Sequence, residues 1–208
     1  MRRKIGIIIG VIALVITGAI AYQVWTISRA VEYSTNSVPE YIIGNPEAKL
    51  TIVEFVDYRC PYCQALHKNL SAITATDKDI RIIIRPLPWL GPESSRITML
   101  VIAAAKQGKA DELHNSLLSL ENPPSYEQAE QVAAEIGIDV ERAAKEAFGE
   151  DVAAQINRNL SYALTLNYNS LPGLLIGPIP YVQKDSKTLT KDQLQNLIDQ
   201  ARSMMKED

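Results

Sequence analysis

Cys60 and Cys63 are the only cysteines in the chain, and Pro61 and Tyr62 separate them. Two thiols at this spacing can close a small disulfide ring and open it again. One attacks a partner's sulfur as a thiolate, and the other then displaces the mixed disulfide so formed. A structural bridge is the weaker reading, since closing so short a loop removes little entropy from the unfolded chain. A zinc half-site is another alternative, with His67 and His114 as further ligands. No second C-x-x-C and no paired-histidine hook is present, and one C-x-x-C at a helix start supplies only half of a tetrahedral site. No metal and no cofactor are therefore expected, and the two histidines are read as ordinary helix residues.

The surrounding elements decide which thiol attacks. Lys49 to Asp57 is nearly continuously apolar and β-branched (Leu50, Ile52, Val53, Phe55, Val56), which predicts a buried central strand. After Cys60, the stripe Cys63, Leu66, Leu70, Ile73 has helical spacing. Cys60 therefore falls at a helix N-terminus, where unpaired amides and the helix dipole favour a thiolate. Pro61 suits the first turn, because its missing N–H had no partner there. Cys63 faces inward as the resolving thiol and leaves Cys60 as the exposed nucleophile. Whatever stabilises the Cys60 thiolate stabilises the reduced protein and makes its disulfide a stronger oxidant.

Ile80 to Arg85 predicts a second strand, stopped by Pro86 and Pro88. Strand, helix and strand in this order make a βαβ unit with a right-handed crossover. A helical block comes next. Ile97, Leu100, Val101 and Ala104 form one face, and Leu113, Leu117 and Leu120 another. Ser125 to Gln128 fits a capping box, with further helices over 140–148 and 151–167. Two short strands, 173–177 and 181–183, precede a last helix that opens on the capping box Thr190 to Gln193. The fold class is α/β: βαβ, a helical block, then ββα, giving a mixed sheet with helices on its faces.

Arg2, Arg3 and Lys4 precede an uncharged run from Ile5 to Ile27, long enough to cross ~30 Å of hydrocarbon. Basic residues on the amino side keep that end in the cytoplasm and send the remainder of the chain across the membrane. Residues 1–27 are either a membrane anchor or a signal peptide cleaved after Ala19-Ile20-Ala21. Both readings place the domain where disulfides persist. Residues 28–41, with Pro39, read as a polar tether. Beyond Lys4, 18 basic residues face 24 acidic ones, a net charge of −6 with no basic stripe. That excludes a nucleic-acid partner on electrostatic grounds. A composition 47% hydrophobic and 22% charged is that of an ordinary globular chain.

Several separated motifs carry a resemblance. Gly44-Asn45-Pro46, then Thr51 to Arg59 leading into Cys60-Pro61-Tyr62-Cys63, resembles the DsbA-like thioredoxin-fold family of exported thiol–disulfide oxidoreductases. Leu90-Gly91-Pro92-Glu93-Ser94 and Ala103 to Lys109 are similar to the opening of that family's helical insertion. His114 with Leu117-Leu118 is similar to its next helix, and Leu171 to Gly177 to the loop around its cis-proline. The match runs from about Tyr41 to the carboxyl terminus and implies a thioredoxin-like fold. Its core would be 42–91 and 168–208, with the helical insertion at 92–167.

The resemblance also implies roles. Cys60 would be the nucleophile, Cys63 the resolving cysteine, and Pro61 and Tyr62 the dipeptide that tunes the potential. Pro172 would be cis, letting the Leu171 backbone pair with an extended substrate. Glu54 would be the buried acid that relays a proton to or from Cys63; its bland alternative is a residue pointing off the sheet edge. Three departures stand out. Ala110 to His114 lacks the family's aromatic residues, Leu171 replaces a more frequent Thr, and Pro178-Ile179-Pro180 should stiffen the last hairpin loop. The leading expectation is a monomeric dithiol oxidase that acts on cysteine-containing exported polypeptides and is recycled by a membrane redox partner. A reductase or isomerase on the same fold, or a tethered chaperone without redox turnover, are the alternatives.

Overall fold

The computed structural model describes residues 2–36, 41–183, 185 and 187–206. Its sheet has the order β1-β3-β2-β4-β5. The strands are β1 (Ile42–Gly44), β2 (Leu50–Val56), β3 (Ile80–Pro86), β4 (Gly173–Ile176) and β5 (Ile179–Val182). β2 is central because it can be: apart from the half-buried Thr51, every residue from Leu50 to Val56 is buried, as a strand covered on both faces requires. It pairs in parallel with β3, Leu50 opposite Ile80 through Val56 opposite Pro86. It pairs antiparallel with β4, Glu54 opposite Leu174. This is the mixed sheet expected from the apolar runs, with one addition: β1 pairs antiparallel with β3 and is too short to leave a periodic signal.

Helix α2 (Pro61–Thr74) crosses from β2 to β3, and α8 (Lys191–Met204) packs against it. Between β3 and β4 the chain forms α3 (Pro92–Ala105), α4 (Ala110–Leu118), α5 (Tyr126–Glu135), α6 (Val140–Glu146) and α7 (Glu150–Thr165). Both expected capping boxes are present, Ser125 with Gln128 and Thr190 with Gln193. The expected stiff loop at Pro178-Ile179-Pro180 is not. The turn is only Gly177-Pro178, and Ile179 and Pro180 already belong to β5. β5 is the edge strand of the sheet, where a proline removes no ladder bond that the sheet needs.

The amino-terminal helix α1 runs over Arg2–Thr35, well past the expected end at Ile27. From Ile7 to Ile27 its apolar side chains are exposed, and the helix is long and apolar enough to cross a membrane. Its last turns are docked on the domain instead of forming a loose tether. Ala30 and Ser34 are buried. Arg85, buried at the end of β3, donates through Nη2 to the carbonyls of Tyr33, Ser34 and Asn36 at 2.9, 3.1 and 3.0 Å. The Tyr33 ring stacks on Tyr162 of α7, centroids 4.3 Å apart. A cation at a helix C-terminus satisfies the carbonyls that the helix cannot. Because Arg85 is 49 to 52 positions away from those carbonyls, local sequence reads this stretch as tether. Pro39 lies outside the described residues.

Candidate active site

Cys60 is the N-cap of α2, its backbone extended at φ −88° and ψ 115°, with Pro61 in the first turn. The helix starts there because Pro61 cannot donate and Cys60 N–H is already bonded to the Asp57 carbonyl at 3.0 Å. Both thiols are free. Cys60 is 5% exposed and Cys63 fully buried, so the nucleophile is less open than the sequence suggested. The Cys60 thiol is lowered to about 7, first by a hydrogen bond from the Cys63 thiol and then by the backbone amides of Cys63 and Tyr62. Burial and the Asp57 charge oppose this. Cys63 is pushed well above the ordinary thiol value, first by burial and then by its neighbour Cys60. One thiol is thus prepared to ionise and the other to hold its proton.

The peptide bond between Leu171 and Pro172 is cis, as the resemblance implied. It brings the Leu171 carbonyl to 3.9 Å from Cys60 Sγ. Residue 171 is 111 positions away in sequence; the antiparallel pairing of β4 with β2 sets it beside the thiol. Tyr62 is 39% exposed and Leu90 49%, so the rim of the site is partly apolar and open.

Beneath the cysteines lie two buried carboxylates. Asp57 is fully buried and fully occupied. It accepts from Arg59 N at 2.9 Å, Trp89 N at 2.8 Å, Leu90 N at 3.0 Å and the Ser94 hydroxyl. It thereby fastens the start of the helical block to the strand that carries Cys60. Glu54 is also fully buried; it does not point off the sheet edge. Neither of its oxygens has a hydrogen-bond partner. Its Oε2 lies 3.5 Å from His114 Nε2, within reach of an ion pair and without hydrogen-bond geometry.

The two histidines meet inside the core. His114 of α4 is fully buried and His67 of α2 is 4% exposed, and their rings meet edge to face at 5.2 Å. His114 Nδ1 shares a 3.2 Å hydrogen bond with the Tyr58 hydroxyl, and His67 Nε2 one of 3.1 Å with Ser71. His67 is lowered to about 4, chiefly by burial and then by His114. Tyr58 is raised well above the phenol value, chiefly by burial and then by Glu54. The sequence alone singles out neither Tyr58 nor Asp57, and it reads both histidines as ordinary helix residues. The available signal was weak: two histidines, each on the apolar stripe of a helix. Among the described residues, no group of three or more His, Cys, Asp and Glu side chains is arranged to hold a metal ion.

A buried strand delivering a C-x-x-C pair to a helix start, with the carbonyl of the residue before a cis-proline beside it, defines the thioredoxin class of redox sites. A family model described as thioredoxin matches residues 36–200. The chain belongs to that family, the DsbA-like thiol–disulfide oxidoreductases. Among curated proteins it is 29% identical over 140 residues to a Na(+)/H(+) antiporter NhaA of Herminiimonas arsenicoxydans, 66% of this chain and 22% of that one. The chain therefore spans about a fifth of the length of that relative. A thioredoxin-like oxidoreductase from Silicibacter pomeroyi superposes with a TM-score of 0.72 at 28% identity, covering 80% of this chain and 94% of the other. The thiol-disulfide exchange protein α-DsbA2 of Wolbachia pipientis shares the fold, with a TM-score of 0.72 at 22% identity over 86% of this chain and 97% of that one.

Proposed function

We propose that the protein is a dithiol oxidase that passes the Cys60–Cys63 disulfide to cysteine-containing exported polypeptides. A substrate thiolate attacks Cys60 Sγ and releases Cys63. A second substrate thiolate then attacks the substrate sulfur of the mixed disulfide, so the substrate leaves oxidised and the cysteine pair reduced. The observation that carries this reading is the inequality of the two thiols, Cys60 lowered to about 7 and Cys63 raised. It makes Cys60 the sulfur that attacks and leaves. Glu54 serves Cys63 as proton carrier, Pro61 and Tyr62 tune the potential, and Leu171 with cis-Pro172 receives the extended substrate. Residues 42–91 and 168–208 form the redox core, and 92–167 the helical insertion. The domain works outside the cytoplasmic membrane, held by α1, as a monomer recycled by a membrane redox partner.

One observation favours a second reading, a reductase or isomerase. A nucleophile lowered only to about 7 sits where thioredoxin's does, ~7, and well above that of DsbA, ~3.5. Equilibrating the full chain in detergent with glutathione buffers separates the two. The oxidase reading expects a potential nearer the oxidising end (~ −120 mV). A value near thioredoxin's (~ −270 mV) removes it and leaves a protein fed with electrons.

A further inference from the structure

Cys63 has no exposed surface, and a polypeptide disulfide-bonded to Cys60 would cover the 5% of that residue that is exposed. Yet Cys63 must lose a proton before it can displace that polypeptide, and must regain one when the ring opens. A route for the proton has to run inward. Four polar atoms below the cysteines lie buried without a protein hydrogen-bond partner: Glu54 Oε1 and Oε2, His114 Nε2 and His67 Nδ1. Buried polar atoms are almost always paired, so four orphans in one cluster call for a reason. They form a row with direction. Glu54 is near enough to Cys63 to act on it electrostatically, His114 Nε2 is 3.5 Å from Glu54, and His67 is packed on His114. His67 Nε2 is bonded to Ser71, which opens on a cleft of about 330 Å³ lined also by Lys78, Asp111 and Asn115. That cleft lies at the far end of α2 from Cys60.

We propose that Glu54, His114, His67 and Ser71, bridged by internal water, carry the Cys63 proton between the buried thiol and this rear cleft. The proposal rests on the exchange chemistry proposed above and extends it from Glu54 to the two histidines. When Cys63 attacks the mixed disulfide, its S–H proton passes to the Glu54 carboxylate. It moves on to His114, then by way of His67 and Ser71 to water. The Cys63 sulfur bonds to Cys60 Sγ, the bond from Cys60 to the partner breaks, and the partner leaves with the electron pair as its thiolate. The Cys63 sulfur is oxidised, the partner's sulfur is reduced, and Cys60 stays at the disulfide level throughout. Ring opening runs the same row backwards. His114 and His67 are positioning residues here, because they act through Glu54.

The groups facing the row are Glu54 from β2, Tyr58 after it, Cys63 and His67 from α2, and Asp111 from α4 itself. The buried residues of α3 and α5, which also pack on α4, include no titratable side chain.

The test uses the full chain in detergent. The reduced protein is mixed with oxidised glutathione, and decay of the Cys60–glutathione disulfide is followed by acid quench and mass spectrometry from pH 6 to 9. His114→Gln, which keeps a polar group but cannot shuttle a proton, should slow that decay at least about tenfold at pH 6. The gap should close by pH 9, where hydroxide in the internal water takes the place of the histidines as acceptor, and the equilibrium constant with glutathione should change less than twofold. A rate unchanged at pH 6, a loss equal at all pH values, or an equilibrium shift as large as the rate change would each overturn the relay. If His114→Gln does not fold, His67→Phe is measured against the same outcomes. Glu54→Gln separates the two levels of the argument. Slow decay in that variant beside normal decay in the histidine variants sinks the relay alone, whereas a wild-type protein that never forms or resolves the mixed disulfide sinks the exchange reading.

Discussion

Asp57 and Glu54 are two carboxylates three positions apart on the same stretch of chain, both fully buried, and their surroundings could hardly differ more. Asp57 has a donor on every side: three backbone amides and the Ser94 hydroxyl. Glu54 has none, only an imidazole 3.5 Å away. A buried charge that is fully bonded holds structure together, here the loop after β3 against the strand leading to Cys60. A buried acid left unbonded costs folding free energy instead of supplying it, which fits the proton-carrying role proposed for Glu54. The difference separates a joint from what we propose to be a working part, three positions away.

Substitutions at the joint and in the working part sharpen or break that contrast. Asp57→Ala orphans four donors and should cost about 4 kcal/mol, seen as a loss of roughly 10 °C in the melting temperature. A loss no larger than that of Glu54→Leu would break the comparison.

Acid should be felt at His67, which packs on His114. His67 takes a proton near 6.5 when unfolded but only near 4 when folded. The unfolded chain therefore binds more protons between those values. Stability from this group is complete above about 6.5 and falls as pH drops toward about 4. Melting curves across this range should lose their acid slope in His67→Phe. Parallel curves for variant and wild type would assign the slope elsewhere.

Smaller effects complete the series. Ser94→Ala removes one of the four donors to Asp57 and should cost about 1 kcal/mol by the same melt. Glu54→Leu should fall within about 1 kcal/mol of wild type or exceed it, since replacing a buried charge by an apolar side chain is often neutral or stabilising.

How much of this was legible depends on the range of the interaction. The C-x-x-C pair, the buried strand before it and the capping boxes are local, because dipole, proline and apolar period act over a few residues. Glu54 could be singled out as an acid inside an apolar strand, and the cis bond before Pro172 could be expected from its motif. The end of α1 could not be read, because the group that satisfies its last carbonyls is Arg85, 51 residues after Ser34. His114 could not be assigned either. On α4 alone it is one more residue of a buried stripe, and only the packing of α4 over α2 and β2 brings it to Glu54 and Tyr58.

The sequence by itself determined that one thiol would start a helix and the other would sit a turn below it. Those facts come from backbone geometry and the period of the chain. The tertiary structure decided what each thiol meets: the Leu171 carbonyl beside Cys60, and an acid and two histidines behind Cys63. The reason is physical. Local pattern fixes which face of an element is buried, but the polar groups that share that burial come from whichever elements pack there.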